Sequence, residues 1–140
     1  MRVYKIMAAA LAVSIAILAT LGTVGSSARV SETYLKDISC SDSACSVEFN
    51  QDIEIAKALD TGSMLPTFDD DTLIIAKPDS LGIGDIVLYR SGKDLIVHRI
   101  VGIDSRAGER YYKMKGDNNL WDDGWFPESA IEWKVIGVLY

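Results

Sequence analysis

"LIVHRIVGI", residues 95–103, is the stretch on which the fold turns. Five of its nine residues are Val or Ile. Such side chains are stiff at χ1 and sit better on a pleated surface than on a helix. The stretch therefore predicts a long strand. Working outward, "DIVLYR" at 85–90 lies between the turn-like "GIG" and "SGKD", and "RYYKMK" at 110–115 follows "RAGE". Farther out, "CSVEFN" at 45–50 alternates, "TLIIAK" at 72–77 ends in "PDS", and "WKVIGVLY" occupies 133–140. Turn signals recur about every 8 to 15 residues, the spacing of a mostly β, compact antiparallel domain. "QDIEIAKALD", 51–60, fits a short helix and a strand equally.

The chain has 140 residues, 49% of them apolar, which implies one domain plus an appendage. Residues 6–25, "IMAAALAVSIAILATLGTVG", carry no charge. About 20 apolar residues in a helix cross a bilayer core of about 30 Å. Arg2 and Lys5 precede the run, so residues 1–5 are expected in the cytosol and the rest outside. This is the reading of a single-pass cell-membrane protein held in the lipid bilayer by one N-terminal transmembrane helix. A cleaved signal peptide is the rival, with small residues at 26–28, "SSA". Both readings export residues 29–140.

All 20 acidic residues lie beyond the span, and the net charge is −6. No cluster of Lys and Arg exists of the kind that displaces counterions from a duplex, so no nucleic-acid partner is expected. The segment 26–44 reads as a tether with a small loop, and 45–140 as the β domain. Outside the cytosol Cys40 and Cys45 are expected to pair as a structural clip. With one histidine they cannot complete a four-ligand zinc site, and no metal or cofactor is expected.

Three segments carry chemistry: "TGSMLPTF" (61–68), "IVHRIVG" (96–102) and "KGDNNLWDD" (115–123). Ser63 is a hydroxyl in a glycine-flanked turn, His98 is the chain's only imidazole, and Asp117, Asp122 and Asp123 are loop carboxylates. A serine alcohol attacks only when a base takes its proton, and imidazole suits that role near neutral pH. A carboxylate on the second ring nitrogen fixes the tautomer and stabilises the imidazolium. Each segment alone has a plainer reading as a turn, a packed core histidine or a solvated loop. "DNNLWDD" lacks the D-x-D-x-D-G spacing of a calcium loop.

Taken together, "SMLP" (63–66), "HR" (98–99), "GDNN" (116–119) and "DD" (122–123) resemble, in order and spacing, a type I signal peptidase of the archaeal and endoplasmic-reticulum type. That resemblance covers 60–140 and the N-terminal anchor. It implies the β fold shared by signal peptidases and LexA-like domains, with Ser63 as nucleophile and His98 as general base. It further implies Asp123 as the orienting carboxylate, Asp117 as a support acting through Arg99 or the loop backbone, and Thr61 with the Ser63 N–H as oxyanion donors. Asp122 is the neighbour expected to matter less. The implied substrates are exported preproteins with small residues at the cleavage site; need for partner subunits stays open. A LexA-type repressor domain would use a lysine base in the cytosol. A processing peptidase of the same clan dedicated to one surface protein, and a non-catalytic membrane-anchored β module, are the remaining alternatives.

Overall fold

Successive side chains of a strand point to opposite faces, and antiparallel pairing joins the apolar faces of neighbouring strands into core clusters, on both sides of the central strands. The computed structural model describes residues 3–6, 17–18, 28–30, 34–41 and 44–139. The strands in chain order are β1 (Val3–Ile6), β2 (Ile17–Leu18), β3 (Ala28–Val30), β4 (Leu35–Cys40), β5 (Ala44–Phe49) and β6 (Ile53–Ala58). They continue with β7 (Thr72–Ala76), β8 (Ile86–Ser91), β9 (Asp94–Arg106), β10 (Glu109–Lys115), β11 (Gly124–Pro127) and β12 (Ile131–Leu139). A 3-10 turn, Glu128–Ala130, precedes β12. The main sheet runs β1-β6-β7-β12-β8-β9-β10-β11, with β3 also on β12, and a small sheet runs β2-β5-β4. All registered pairs are antiparallel. The domain is thus mostly β and antiparallel, and 51–60 resolves as strand β6.

Alternation along β8 and β9 sorts the core. Leu88 pairs with Val97 and both enter one cluster, with Leu73, Ile75, Trp133 and, from the 61–68 loop, Met64 and Phe68. Val87 pairs with His98 on the other side, where Val87, Tyr89, Ile100, Tyr112 and Met114 form a second cluster. Met64 and Phe68 therefore seat the 61–68 loop by burial, since Met64 is fully covered and Phe68 nearly so, while Leu65 stays exposed.

β9 serves two partners. Residues 94–99 register with β8, and residues 99–106 register with β10. Between Ile100 and Gly102 the register with β10 slips, so Val101 has no opposite number. A β-bulge of this kind bends a strand and re-aims the side chains beside it. The return from β9 to β10 is tight: Ala107 and Gly108 both take positive φ, 50° and 85°. That is the primed-turn geometry whose twist matches a hairpin.

Of the expected span 6–25, Ile6 lies in β1 and Ile17–Leu18 is β2, while 7–16 and 19–25 lie outside the described residues. No helix among the described residues is long and apolar enough to cross a membrane. The segment read as a tether does more than link. Tyr34 is buried with Ile74, Ala76 and Ile136, its hydroxyl donates to Asp79 Oδ1 at 2.8 Å, and Leu35–Cys40 is a strand on β5. Cys40 is disulfide-bonded, and Cys45, the chain's one other cysteine, stands opposite it in register.

Leu88 is fully buried at the centre of the first cluster. Leu88→Ala is expected to cost about 2–5 kcal/mol through lost transfer energy and the cavity left behind. Chemical denaturation of the two proteins side by side measures it.

Candidate active site

The 61–68 loop begins at Gly62, whose φ of +65° an L side chain rarely adopts. The Gly62 N–H donates to Asp69 Oδ1 at 2.9 Å, and Leu65 N–H returns to Gly62 O at 3.3 Å. The Leu65–Pro66 bond is cis. With Met64 anchored in the core, Ser63 is left at the rim and faces His98.

His98 is 4% exposed. Its Nε2 lies 3.2 Å from Ser63 Oγ, and its Nδ1 lies 2.5 Å from Asp123 Oδ2. An ionised carboxylate only accepts, so Nδ1 carries a proton, and in the neutral ring Nε2 is then the acceptor that faces the serine hydroxyl. Asp123 Oδ2 accepts a second bond, from the Tyr89 hydroxyl at 2.9 Å. The Asp123 backbone is tied down by its N–H to Met114 O at 2.8 Å. Burial pushes the Asp123 carboxyl up, but the bonds from His98 and Tyr89 outweigh it and hold it below the usual carboxylate range. Burial first, then the charge of Asp123, pushes the Tyr89 phenol far above its ordinary value, so it stays a neutral donor.

Arg99, the next residue along β9, points to the opposite side and grips Asp117. Nε donates to Oδ1 and Nη2 to Oδ2, both at 2.7 Å. Its Nη1 donates to Gly84 O at 2.7 Å, and Nη2 to Thr67 Oγ1 at 3.2 Å. Thr67 Oγ1 in turn donates to Asp117 Oδ2 in a short bond. One guanidinium thus joins β9, the loop before β8, the serine loop and the 116–123 loop. Burial raises the Asp117 carboxyl, but the Arg99 and Thr67 bonds hold it below the ordinary range; the same Asp117 bond raises Arg99.

The two loops also meet through backbone. Asn118 N–H donates to Ser63 O at 2.9 Å, and Asn118 Nδ2 to Gly62 O at 3.0 Å. Contact is so close that a Cβ on Gly116 would lie 2.7 Å from Ser63 O. Thr61 Oγ1 donates to Ser63 Oγ at 3.2 Å, which puts it beside the atom that would attack. Asp122 is turned elsewhere: its Oδ1 caps Gly124 N–H at 3.1 Å, and it pairs with Lys113 at 3.3 Å.

The structure therefore brings Thr61, Ser63, His98 and Asp123 into one hydrogen-bonded chain, sets Asp117 and Arg99 together beside it, and keeps Asp122 apart. Cys40 lies in β4, on the separate small sheet. Sequence reasoning missed Tyr89 and Thr67, and it placed Gly116 and Asn118 in the "GDNN" motif without giving either a role. For Tyr89 the available signal was a hydroxyl in an otherwise apolar strand, since a buried tyrosine needs a partner. No group of three or more His, Cys, Asp or Glu among the described residues could hold a metal. Chemically, the chain of bonds can move the Ser63 proton to His98 while Asp123 balances the charge. Scans against family models, curated proteins and solved structures return no match to this chain.

Two consequences are measurable. Gly116→Ala is expected to destabilise by about 1–3 kcal/mol, the cost of overpacking, and to push Ser63 off His98. Thermal unfolding and labelling of Ser63 by an acylating probe should fall together. Asp117, with its carboxyl below the unfolded value of about 3.9, binds fewer protons folded than unfolded. Its stabilisation is complete above that unfolded value and lost as pH falls through the lower folded one. Asp117→Asn should therefore melt lower at pH 7 and lose less stability on acidification than the parent, read from melting points between pH 7 and 2.

Proposed function

We propose that the protein is a serine endopeptidase of the signal peptidase type, using Ser63, His98 and Asp123. The observation that carries this reading is the continuous line Ser63 Oγ to His98 Nε2 at 3.2 Å and His98 Nδ1 to Asp123 Oδ2 at 2.5 Å. Ser63 Oγ attacks the scissile carbonyl carbon as its proton passes to Nε2. The carbonyl π electrons move to oxygen, where the Ser63 N–H and the Thr61 hydroxyl serve as donors; such a donor is typically worth about 3 kcal/mol in the transition state. The C–N bond then breaks, the leaving amine takes the proton from His98, and water hydrolyses the acyl-serine by the same steps in reverse roles. Asp117 acts at one remove, holding Arg99 and the serine loop in register.

The substrate class follows from the motifs. The enzyme removes signal peptides from exported preproteins after a small residue, with another small residue two positions earlier. An extended peptide lying along the sheet would be held by backbone bonds, with shallow pockets reading the small side chains. The uncharged run 6–25 would serve as the anchor once Ile6 and Ile17–Leu18 leave the strand pairing they hold in this structure; the catalytic domain would then be extracytoplasmic, and sharing a bilayer with the substrate's own apolar helix would raise effective concentration. No cofactor enters the reaction. The fold is of the signal peptidase and LexA-like type.

The deciding experiment incubates the full chain in detergent or lipid with a preprotein bearing Ala-x-Ala. Cleavage after the second Ala is expected, abolished by Ser63→Ala and His98→Ala. Removing the orienting carboxylate of a Ser-His-Asp system costs about 10⁴ in kcat. Asp123→Asn should approach that loss while Asp122→Asn stays within a few-fold of the parent. Equal losses at the two positions would overturn the assignment, and an inert parent that no acylating probe labels would favour a non-catalytic module.

A further inference from the structure

We infer that Tyr89 is a positioning residue of this site, its hydroxyl setting through Asp123 the hydrogen bond that His98 makes. The inference rests on the Ser63–His98–Asp123 reading and deepens it. Tyr89 is fully buried in the middle of β8. Phenylalanine would fill the same space without a polar group to satisfy, so the hydroxyl there needs a reason. It donates at 2.9 Å to Asp123 Oδ2, the same oxygen that accepts from His98 Nδ1 at 2.5 Å.

The phenol ring is itself held. It packs against Phe126, ring centres 4.6 Å apart, and tilts toward His98 at 6.4 Å. β8 also places Val87 directly opposite His98. The donor is thus fixed by strand pairing and by a neighbouring ring, not by a mobile loop. Asp123, by contrast, sits in the 116–123 loop, where its carboxylate could turn about its own side-chain bonds. Two donors on one oxygen fix that rotation. They also draw charge from the oxygen, so the carboxylate pulls less strongly on the imidazole proton.

The groups facing His98 are Ser63 on Nε2, Asp123 on Nδ1 and the Tyr89 ring from β8; the charge of Asp117 acts on it through space and is paired with Arg99. Removing the Tyr89 hydroxyl leaves every one of these except the second bond to Asp123. The carboxylate then becomes more basic and freer to rotate. The first effect favours the imidazolium; the second lowers the fraction of His98 aligned with Ser63.

His98 is the only histidine in the chain, so its ring nitrogens give a single assignable set of NMR signals. The experiment titrates those signals in the full chain in micelles for the parent, Tyr89→Phe, Asp123→Asn and the double variant. Tyr89→Phe is expected to move the titration midpoint above the parent's, and the double variant to titrate like Asp123→Asn. With the Ala-x-Ala preprotein, Tyr89→Phe should lose about tenfold in kcat with KM unchanged, the pattern of an interaction made through the reacting groups. A parent-like titration in Tyr89→Phe, or a shift that persists in the Asp123→Asn background, overturns the inference. A parent that neither cleaves the preprotein nor takes up an acylating probe would instead sink the protease reading, and the titration would still decide whether the hydroxyl acts through Asp123.

Discussion

The bidentate pair between Arg99 and Asp117 is the constraint on which the site depends. A guanidinium and a carboxylate meet in a planar fork that tolerates little displacement. Here the fork is fixed at one end to a central strand and at the other to an irregular loop, with Thr67 and the Gly84 carbonyl occupying further donor and acceptor positions. Four segments distant in sequence are thereby held within hydrogen-bond distance of one guanidinium. His98 precedes Arg99 by one residue, so the alternation of β9 hands the imidazole to the opposite side at a height the pair has already set.

The bulge at Val101 gives this arrangement its direction. Beyond it β10 pairs on until Lys115 stands opposite Arg99, Gly116 and Asp117 then meet the serine loop and Arg99, and the chain turns back so that Asp123 reaches Nδ1 of His98. The irregular feature of the sheet and the polar cluster are two views of one geometric requirement.

Much of the sheet was legible because β-branched and alternating runs leave little choice of period. β7, β8, β9, β10, β5 and β12 all fall where such runs stand. Residues 51–60 were ambiguous because "IEIAKA" pairs alternation with the helix formers Glu, Ala and Lys; tertiary pairing with β7 decides for a strand. β11, "GWFP", is too short and too rich in Gly and Pro to announce itself. Strand β4 was hidden in a polar segment because five of its six side chains are exposed. At the site, chemistry named Ser63 and His98 and left Asp117, Asp122 and Asp123 open; Asp123 was singled out by the family resemblance, and the meeting of the three is a matter of folding that no spacing could establish. Tyr89 escaped because in one dimension it is an aromatic in an apolar run, and its hydroxyl gains meaning only beside Asp123.

The close seam between Gly116, Asn118 and the Ser63 carbonyl has a consequence for how such a molecule can change over time. The loop that bears the alcohol and the loop that bears the acids are stitched main chain to main chain, so neither is a free module. Lengthening or recutting one without the other would tear the seam, and a graft onto another scaffold would have to carry both pieces with the arginine that pins them. The two stitched segments thus accept change as a pair rather than singly.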